Sequence, residues 1–184
     1  MLTRERFTAI EMNDLDAKTQ RDSPFWRFSV SFYSVPDVAD ACLALQDKAG
    51  ADVNIVMFLL WNAAENRTFS AEAIADVESQ IGVWRDLVVV PLRTVRRALK
   101  SPPAAIDAVL AEKYRTKIKG VELEAEKLQQ EALYALAPSL KLARVSSPAA
   151  AARASISAYQ DLCPDVFPTE AVETLLAAFA RSTR

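Results

Sequence analysis

The scarcity of glycine is the feature of this sequence that most constrains its fold. Glycine occurs 3 times in 184 residues, whereas alanine occurs 32 times. Tight β-hairpin turns depend on glycine, and alanine is the strongest intrinsic helix former. The sequence therefore predicts an all-α protein. It argues against a β-sandwich, a β-barrel and a glycine-rich phosphate-binding loop.

The residue types that are missing limit the chemistry that we expect. The sequence contains no histidine, which excludes histidine-containing triads, histidine general bases and histidine-ligated metals. Cys42 and Cys163 lie far apart without metal-ligand spacing, so we expect no metal or other cofactor and a reducing, cytoplasmic location. The N-terminus is too polar for a signal peptide, and no apolar run is long enough to span a membrane.

Differences in composition along the chain predict its organisation. Residues 1–22 are mostly polar and charged, and we expect a loosely ordered leader there. Residues 23–184 are predicted to form a single all-α domain. Its core is a helical bundle over residues 23–101, and residues 103–184 are predicted to add one long helix and two C-terminal helices.

Capping residues predict the ends of the helices in the core. Ser23 and Pro24 suit the start of a short aromatic helix. Further helices are predicted at Pro36–Ala49, Val53–Trp61, Ser70–Trp84 and Leu92–Leu99. The third helix is apolar almost all round, which is typical of a bundle centre, although its β-branched residues leave a strand as the alternative. Continuation beyond Trp84 stays open, because Pro91 must end or kink a helix.

Residues 104–137 are predicted to form the long helix. Apolar residues recur in it at alternating spacings of 4 and 3, as in a heptad seam: Tyr114, Ile118, Val121, Ala125, Leu128, Ala132 and Ala135. Such a helix is on the order of 50 Å long, whereas a compact chain of this size has a radius of gyration of about 16 Å. We therefore expect the helix to protrude, to bend near Gly120, or to pair with another surface. Helices are also predicted at Pro148–Leu162 and Pro168–Ala180.

Charge is unevenly distributed, although the net charge is only −2. The net charge is −6 over residues 1–84, +6 over residues 85–119 and −2 over residues 120–184. The most concentrated basic feature is a single helix face made of Arg93, Arg96, Arg97 and Lys100.

This basic face has three interpretations. The favoured one is a solvated face with internal acidic partners among Asp37, Asp40, Asp47 and Asp52. The second is a contact site for an anionic ligand or an acidic protein, since arginine suits carboxylates and phosphates. Nucleic acid is the least favoured partner, because no helix-turn-helix signature accompanies the face and few aromatic residues lie near it.

Polar side chains surround a predicted turn at Gly50. The favoured interpretation is structural: Asp52 caps a helix, and Asp47 pairs with Arg85 or Arg93 to orient two helices. The alternative is a polar pocket that binds a small ligand. Its candidate residues are Asp47, Asp52 and Asn54 with Trp61 and Trp84 beside them.

Three motifs carry a resemblance to a known family. They are Phe25-Trp26-x-Phe28-Ser29, ACLxLQDxxGxDVN over residues 41–54, and WRxxVVxPLRxxRRxLK over residues 84–100. The pattern resembles a family of uncharacterised proteobacterial proteins, a domain of unknown function, over residues 24–100. The resemblance implies a helical, cytoplasmic proteobacterial protein and no particular activity.

Together these observations favour a non-enzymatic helical protein that works as a homodimer or as an adaptor. The heptad seam and the basic face are its candidate contact surfaces. The alternative is a helical pocket for a small anionic or acyl ligand, with Arg85 and Arg93 as the anion clamp. An enzyme that relies on Asp, Glu, Arg or Tyr chemistry is the least favoured possibility, and no catalytic or metal-ligating residue is assigned. The candidate binding residues are Arg85, Arg93, Arg96, Arg97, Lys100, Asp47, Asp52, Asn54, Trp61 and Trp84.

Overall fold

The structure, a computed structural model, describes residues 22–183 and is almost entirely helical over them, which confirms the all-α prediction. The predicted leader lies outside the described residues except for Asp22. The α-helices are α1 (Pro24–Tyr33), α2 (Val38–Ala49), α3 (Val53–Ala63), α4 (Ala71–Trp84), α5 (Val90–Ala98), α6 (Ala108–Leu136), α7 (Pro148–Gln160) and α8 (Thr169–Ser182). Two short strands, β1 (Arg67–Thr68) and β2 (Ala143–Arg144), pair antiparallel.

Side-chain caps begin α1 and α3 at the predicted positions. The Ser23 Oγ accepts a hydrogen bond from the Trp26 amide at 3.0 Å, and the Asp52 Oδ1 accepts one from the Asn54 amide at 2.8 Å. Each of these bonds satisfies an amide that the first turn of a helix leaves without a backbone partner. The predicted start of α2 at Pro36 is wrong by two residues, because Asp37 has a left-handed backbone with φ of 69°.

Helix α3 is the centre of the molecule. Nearly all of its residues are buried, and α1, α2, α6 and α7 pack around it. The prediction of a central buried helix is therefore confirmed, and the strand alternative is wrong. Trp61 is partly buried near the end of α3, where its ring contacts Phe25, Phe58 and Tyr134.

Helix α4 continues into α5 through a π-helical segment, Arg85–Val89, which resolves the continuation that the sequence left open. The Val90 amide donates to the Arg85 carbonyl, five residues earlier. Proline has no amide to donate, and in an α-helix its ring collides with the carbonyl four residues before it. The wider turn therefore lets the helix pass Pro91 without ending.

Helix α6 has 29 residues and is about 44 Å long. It begins at Ala108 rather than at residue 104, because the Asp107 carboxylate caps it by accepting from the Leu110 amide at 2.9 Å. Its buried face is largely polar and consists of Ala111, Glu122, Ala125, Glu126, Gln129, Gln130 and Leu133. The heptad seam therefore lies mainly on the outer side of the helix, with only Ala125 shared between the two faces.

The C-terminal helices complete the core. Helix α7 packs on α3 and helix α8 packs on α2. The Ser147 Oγ accepts from the Ala150 amide at 3.2 Å and caps α7, which begins at Pro148 as predicted. Over residues 22–183, no helix combines the length and the apolar composition needed to cross a membrane.

Candidate functional site

Two arginines of the basic face are paired with glutamates of α6. Arg93 donates to the Glu122 Oε1 at 3.2 Å and to the Glu126 Oε1 at 2.8 Å. Arg96 binds both carboxylate oxygens of Glu122. The Arg93 and Arg96 side chains are only 16% and 12% exposed. These residues attach α5 to α6 rather than standing free in solvent.

The other half of the basic face lies at the surface. Arg97 donates to the Asp47 Oδ1 at 2.7 Å, and both side chains are about half exposed. Burial opposes ionisation of Asp47, but hydrogen bonds from Arg97 and Gln46 outweigh it and lower the pKa of the carboxyl group. Lys100 is exposed. Asp47 is thus a partner of Arg97 and not of Arg85 or Arg93, to which the sequence analysis assigned it.

The internal partners of the basic face differ from those expected. Within the described residues, the ion pairs of Arg93 and Arg96 go to Glu122 and Glu126, and that of Arg97 goes to Asp47, one of the four predicted aspartates. The signal that could have identified these glutamates is their spacing. They lie four residues apart on one face of α6, and Gln129 and Leu133 continue that face.

A buried amide and carboxylate network lies beneath the turn at Gly50. The Gln129 Nε2 donates to the Asp52 Oδ2 at 2.6 Å, and the Asn54 Nδ2 donates to the Gln129 Oε1 at 3.0 Å. The Gln130 Nε2 donates to the Asn54 Oδ1 at 2.9 Å. The network joins the start of α3 to the middle of α6 and explains why α6 buries a polar face.

A cleft of about 740 Å³ opens beside this network. It lies between the C-terminal end of α2, α4, the π-helical segment and the C-terminal end of α7. Three of the predicted binding residues line it, namely Asp52, Arg85 and Arg93. The sequence analysis missed other polar residues of the lining, which include Glu78, Asp86, Tyr159 and Cys163.

Arg85 is the central charge of the cleft. It donates to the Glu78 Oε2 at 2.6 Å and to the Asp86 Oδ1 at 2.9 Å, and it lies 3.7 Å from the Asp52 Oδ2. Burial disfavours the charged guanidinium, but the neighbouring carboxylates outweigh burial and raise the pKa of Arg85. Acidic side chains outnumber basic ones in the lining, so the cleft is not a simple anion clamp.

Tyr159 and Cys163 bring the C-terminal half of the chain into the cleft. The Tyr159 hydroxyl accepts from the Asp52 amide at 2.9 Å and donates to the Glu78 Oε1 at 3.2 Å. Burial raises the pKa of Tyr159 and raises the pKa of the Cys163 thiol to about 11. Tyr159 lies 81 residues after Glu78 in the sequence. No local pattern marks Tyr159 or Cys163 as a lining residue, so neither could be identified from the sequence.

Neither of the two tryptophans that were predicted as binding residues lines the cleft. Trp61 belongs to the aromatic cluster of α1 and α3, and the Arg67 guanidinium stacks over its ring at 5.9 Å. The Trp84 indole donates to the Ala125 carbonyl on α6 at 3.0 Å and is 37% exposed. The expected placement of these tryptophans beside a polar pocket is therefore wrong. In the described part of the chain, no three cysteine, aspartate or glutamate side chains are grouped as a metal site requires.

The outer side of α6 carries a row of exposed apolar side chains. Leu110, Tyr114, Val121 and Leu128 are 63%, 54%, 48% and 59% exposed, and their spacings of 4, 7 and 7 place them on one helix face. We call these four residues the open stripe. Contiguous exposed apolar surface is uncommon on monomeric proteins and marks interaction sites.

The fold and these surfaces define an all-α helical bundle with a polar cleft and an open apolar helix face. The profile of the family described as Protein of unknown function (DUF2390) matches residues 24–133, which is more than half of the chain. The chain belongs to this family. The match extends beyond residue 100, where the resemblance was expected to end, and covers most of α6. No curated protein and no solved structure is significantly similar to the chain.

Proposed function

We propose that this chain is a non-enzymatic, cytoplasmic interaction protein whose contact surface is the outer side of α6. The observation that supports the proposal is the open stripe. Its residues lie in a helix whose other side is already packed in the core, so the stripe is not needed for the core. Two cysteines without a disulfide fit the reducing cytoplasm.

The basic face has a different role in this proposal. Arg93 and Arg96 hold α5 against α6, and their guanidinium groups are occupied by Glu122 and Glu126. An acidic partner would have to displace these internal carboxylates, which costs the favourable pairing already present. Only Arg97 and Lys100 retain enough exposure to contribute to a partner surface.

A photo-crosslinking amino acid placed at Val121 tests the proposal. We expect the full chain to crosslink to one defined protein, either itself or another, when the group lies in the open stripe. The matched control carries the group at Val166, an apolar residue that is 78% exposed in the loop between α7 and α8. Equal and diffuse crosslinking at the two positions would contradict the proposal.

The cleft supports a second candidate function, the binding of a small ligand. Its volume of about 740 Å³ lies within the usual range of ligand sites, and polar groups converge there beside apolar side chains such as Val89 and Leu162. A π-helical segment forms one wall, and such segments are frequent at functional sites. Because carboxylates outnumber arginines in the lining, a ligand with both an anionic and a cationic group fits better than a purely anionic or acyl ligand.

Protection of Cys163 tests the ligand proposal, because the thiol lines the cleft and Cys42 is buried. A bound ligand is expected to slow alkylation of Cys163, and Arg85→Ala is expected to remove the protection. Zwitterionic amino acids are the first probes, and acetate and butyrate are the anionic comparison. Unchanged alkylation with every probe, together with no small molecule in native mass spectra of the purified protein, would exclude this function.

A further inference from the structure

The occupant of the open stripe is indicated by charges that run beside it. Lys113, Lys117, Glu124 and Glu131 each lie three residues after a member of the stripe and repeat its spacings of 4, 7 and 7. They form one row along the helix, positive in its N-terminal half and negative in its C-terminal half. Lys113, Lys117 and Glu124 are exposed, and Glu131 is partly buried, where its Oε1 accepts a hydrogen bond from the Ser23 amide at 3.2 Å.

The whole of α6 shows the same division. Residues 108–120 contain four basic side chains and one acidic side chain, whereas residues 121–136 contain four acidic side chains and one basic side chain. Two copies of such a helix repel one another when they lie parallel, because each half then meets a half of its own sign. In an antiparallel arrangement each basic half meets an acidic half.

Tyr114, Val121 and Leu128 of the open stripe have a two-fold pattern that agrees with the division of charge. An axis that passes near Val121 places Val121 beside its own copy and places Tyr114 of one chain beside Leu128 of the other. The same axis places Lys117 opposite residue 125, next to Glu124, and Lys113 opposite residue 129, two residues from Glu131. A single rotation thus packs the apolar row against its copy and brings the basic half of each helix near the acidic half of the other, as a self-complementary interface requires.

We propose that two copies of this chain form a dimer in which the open stripes of their α6 helices pack antiparallel around a two-fold axis near Val121. This inference rests on the proposed function and names the partner of the same surface. Trp84 lies at the edge of the interface, where its indole bonds to Ala125 between Val121 and Leu128.

The mass of the full chain in solution is the first test. We expect light scattering to give twice 20.3 kDa and Val121→Glu to give the monomer, because the axis brings the two new carboxylates together. Val166→Glu introduces the same charge on an exposed apolar residue elsewhere and is expected to leave the dimer intact. Circular dichroism of both variants verifies that the fold is retained.

Disulfide crosslinking tests the orientation. In a Cys163→Ser background, Tyr114→Cys and Leu128→Cys chains are oxidised separately and as a mixture. The antiparallel dimer predicts a disulfide in the mixture and none in either chain alone, because copies of Tyr114 lie roughly 20 Å apart along the helix axis. Crosslinking of each variant with itself would overturn the antiparallel arrangement.

The remaining outcomes separate the dimer from the proposed function. A monomeric wild-type chain overturns the dimer. If the photo-crosslinker at Val121 then attaches to a different protein, the interaction function stands without self-association. If it attaches to residues 1–21 of the same chain, that segment covers the stripe, and both proposals fail. They also fail if the monomer gives no specific crosslink.

Discussion

Gly50 is required by the backbone, whereas Gly120 is not. Gly50 ends α2 with φ of 68°, and a Cβ built there would lie 3.2 Å from the Pro164 ring. Gly120 lies within α6, and a Cβ there would meet nothing within 4 Å. Side chains other than glycine strain the left-handed backbone, and glycine weakens the interior of a helix.

The two glycine-to-alanine variants are therefore expected to have opposite effects. Gly50→Ala should lower the free energy of unfolding by about 1–2 kcal/mol, from left-handed strain and the close approach to Pro164. Gly120→Ala should raise it by about 0.5–1 kcal/mol. Urea unfolding of both variants measures the difference. A stabilising Gly50→Ala change would contradict the assigned backbone conformation.

The pKa of Cys163 gives a pH dependence with a defined sign. Burial raises the pKa of the thiol to about 11, whereas the pKa of a cysteine in the unfolded chain is about 8.5. The folded state thus favours the protonated thiol, and stability should fall as the pH rises from about 8.5 toward 11. The alkylation rate of the folded protein should keep rising over the same interval, whereas that of the unfolded chain should level off near pH 9.

Cys163→Ser is the control for this measurement. It should remove the more accessible thiol and leave Cys42, which is buried in the core. A folded-state alkylation rate that levels off near pH 9, as in the unfolded chain, would show that partial burial does not raise the pKa of the Cys163 thiol.

Helix α5 depends on ion pairs rather than on a buried apolar face. None of its residues is buried, and Arg93 and Arg96 connect it to α6 through Glu122. Removal of Glu122 takes a carboxylate partner from Arg93 and Arg96. Little solvent can replace that partner, since the Glu122 side chain is only 5% exposed. Glu122→Ala should destabilise the protein by about 3 kcal/mol, as for other buried ion pairs that lose one member.

Hydrogen exchange measures where this loss acts. In Glu122→Ala, the amides of α5 should exchange faster than the loss of global stability explains. The exchange rates of the α3 amides should rise only by the amount that the loss of global stability predicts. The exposed Glu72 of α4 provides the control, and Glu72→Ala should cost less than about 0.5 kcal/mol. Unchanged exchange in α5 would mean that the ion pairs do not hold this helix.

The elements differ in how far their sequences determined them. Ser23, Asp52 and Ser70 cap their helices as predicted, because a cap depends only on residues two or three positions away. The π-helical segment before Pro91 was not predicted. Proline indicates that an α-helix cannot continue unchanged. Whether the helix ends, kinks or widens there depends on the contacts of the segments before and after the proline, which here are the packing on α6 and the ion pairs of Arg85 and Arg93.

At the scale of the whole molecule, the region matched by the family ends before the fold does. The match stops at residue 133, yet α7 packs on the central helix α3 and α8 packs on α2. Ile156, Tyr159, Leu175 and Phe179 of these two helices belong to the buried core. The prediction of a single domain over residues 23–184 implies that the chain cannot lose α7 and α8 and remain folded.

A chain that ends at residue 145 tests this prediction. We expect it to lose the cooperative thermal transition of the full chain, because α2 and α3 would expose apolar surface that α7 and α8 now cover. A chain that ends at residue 182 is the control and should unfold as the full chain does. A cooperative transition and native circular dichroism in the shorter chain would show that residues 22–145 form an independent domain.

Local sequence determined the helical class, most helix ends and the buried position of α3, since these depend on intrinsic propensity, caps and an all-apolar run. Tertiary structure decided which side of α6 faces the core. The apolar seam was expected to be a contact surface, and no local pattern showed that the polar side would face the core, where Asn54, Asp52, Arg93 and Arg96 supply partners for its glutamines and glutamates. A polar face is buried only where distant segments satisfy its hydrogen bonds, and no local pattern shows whether they do.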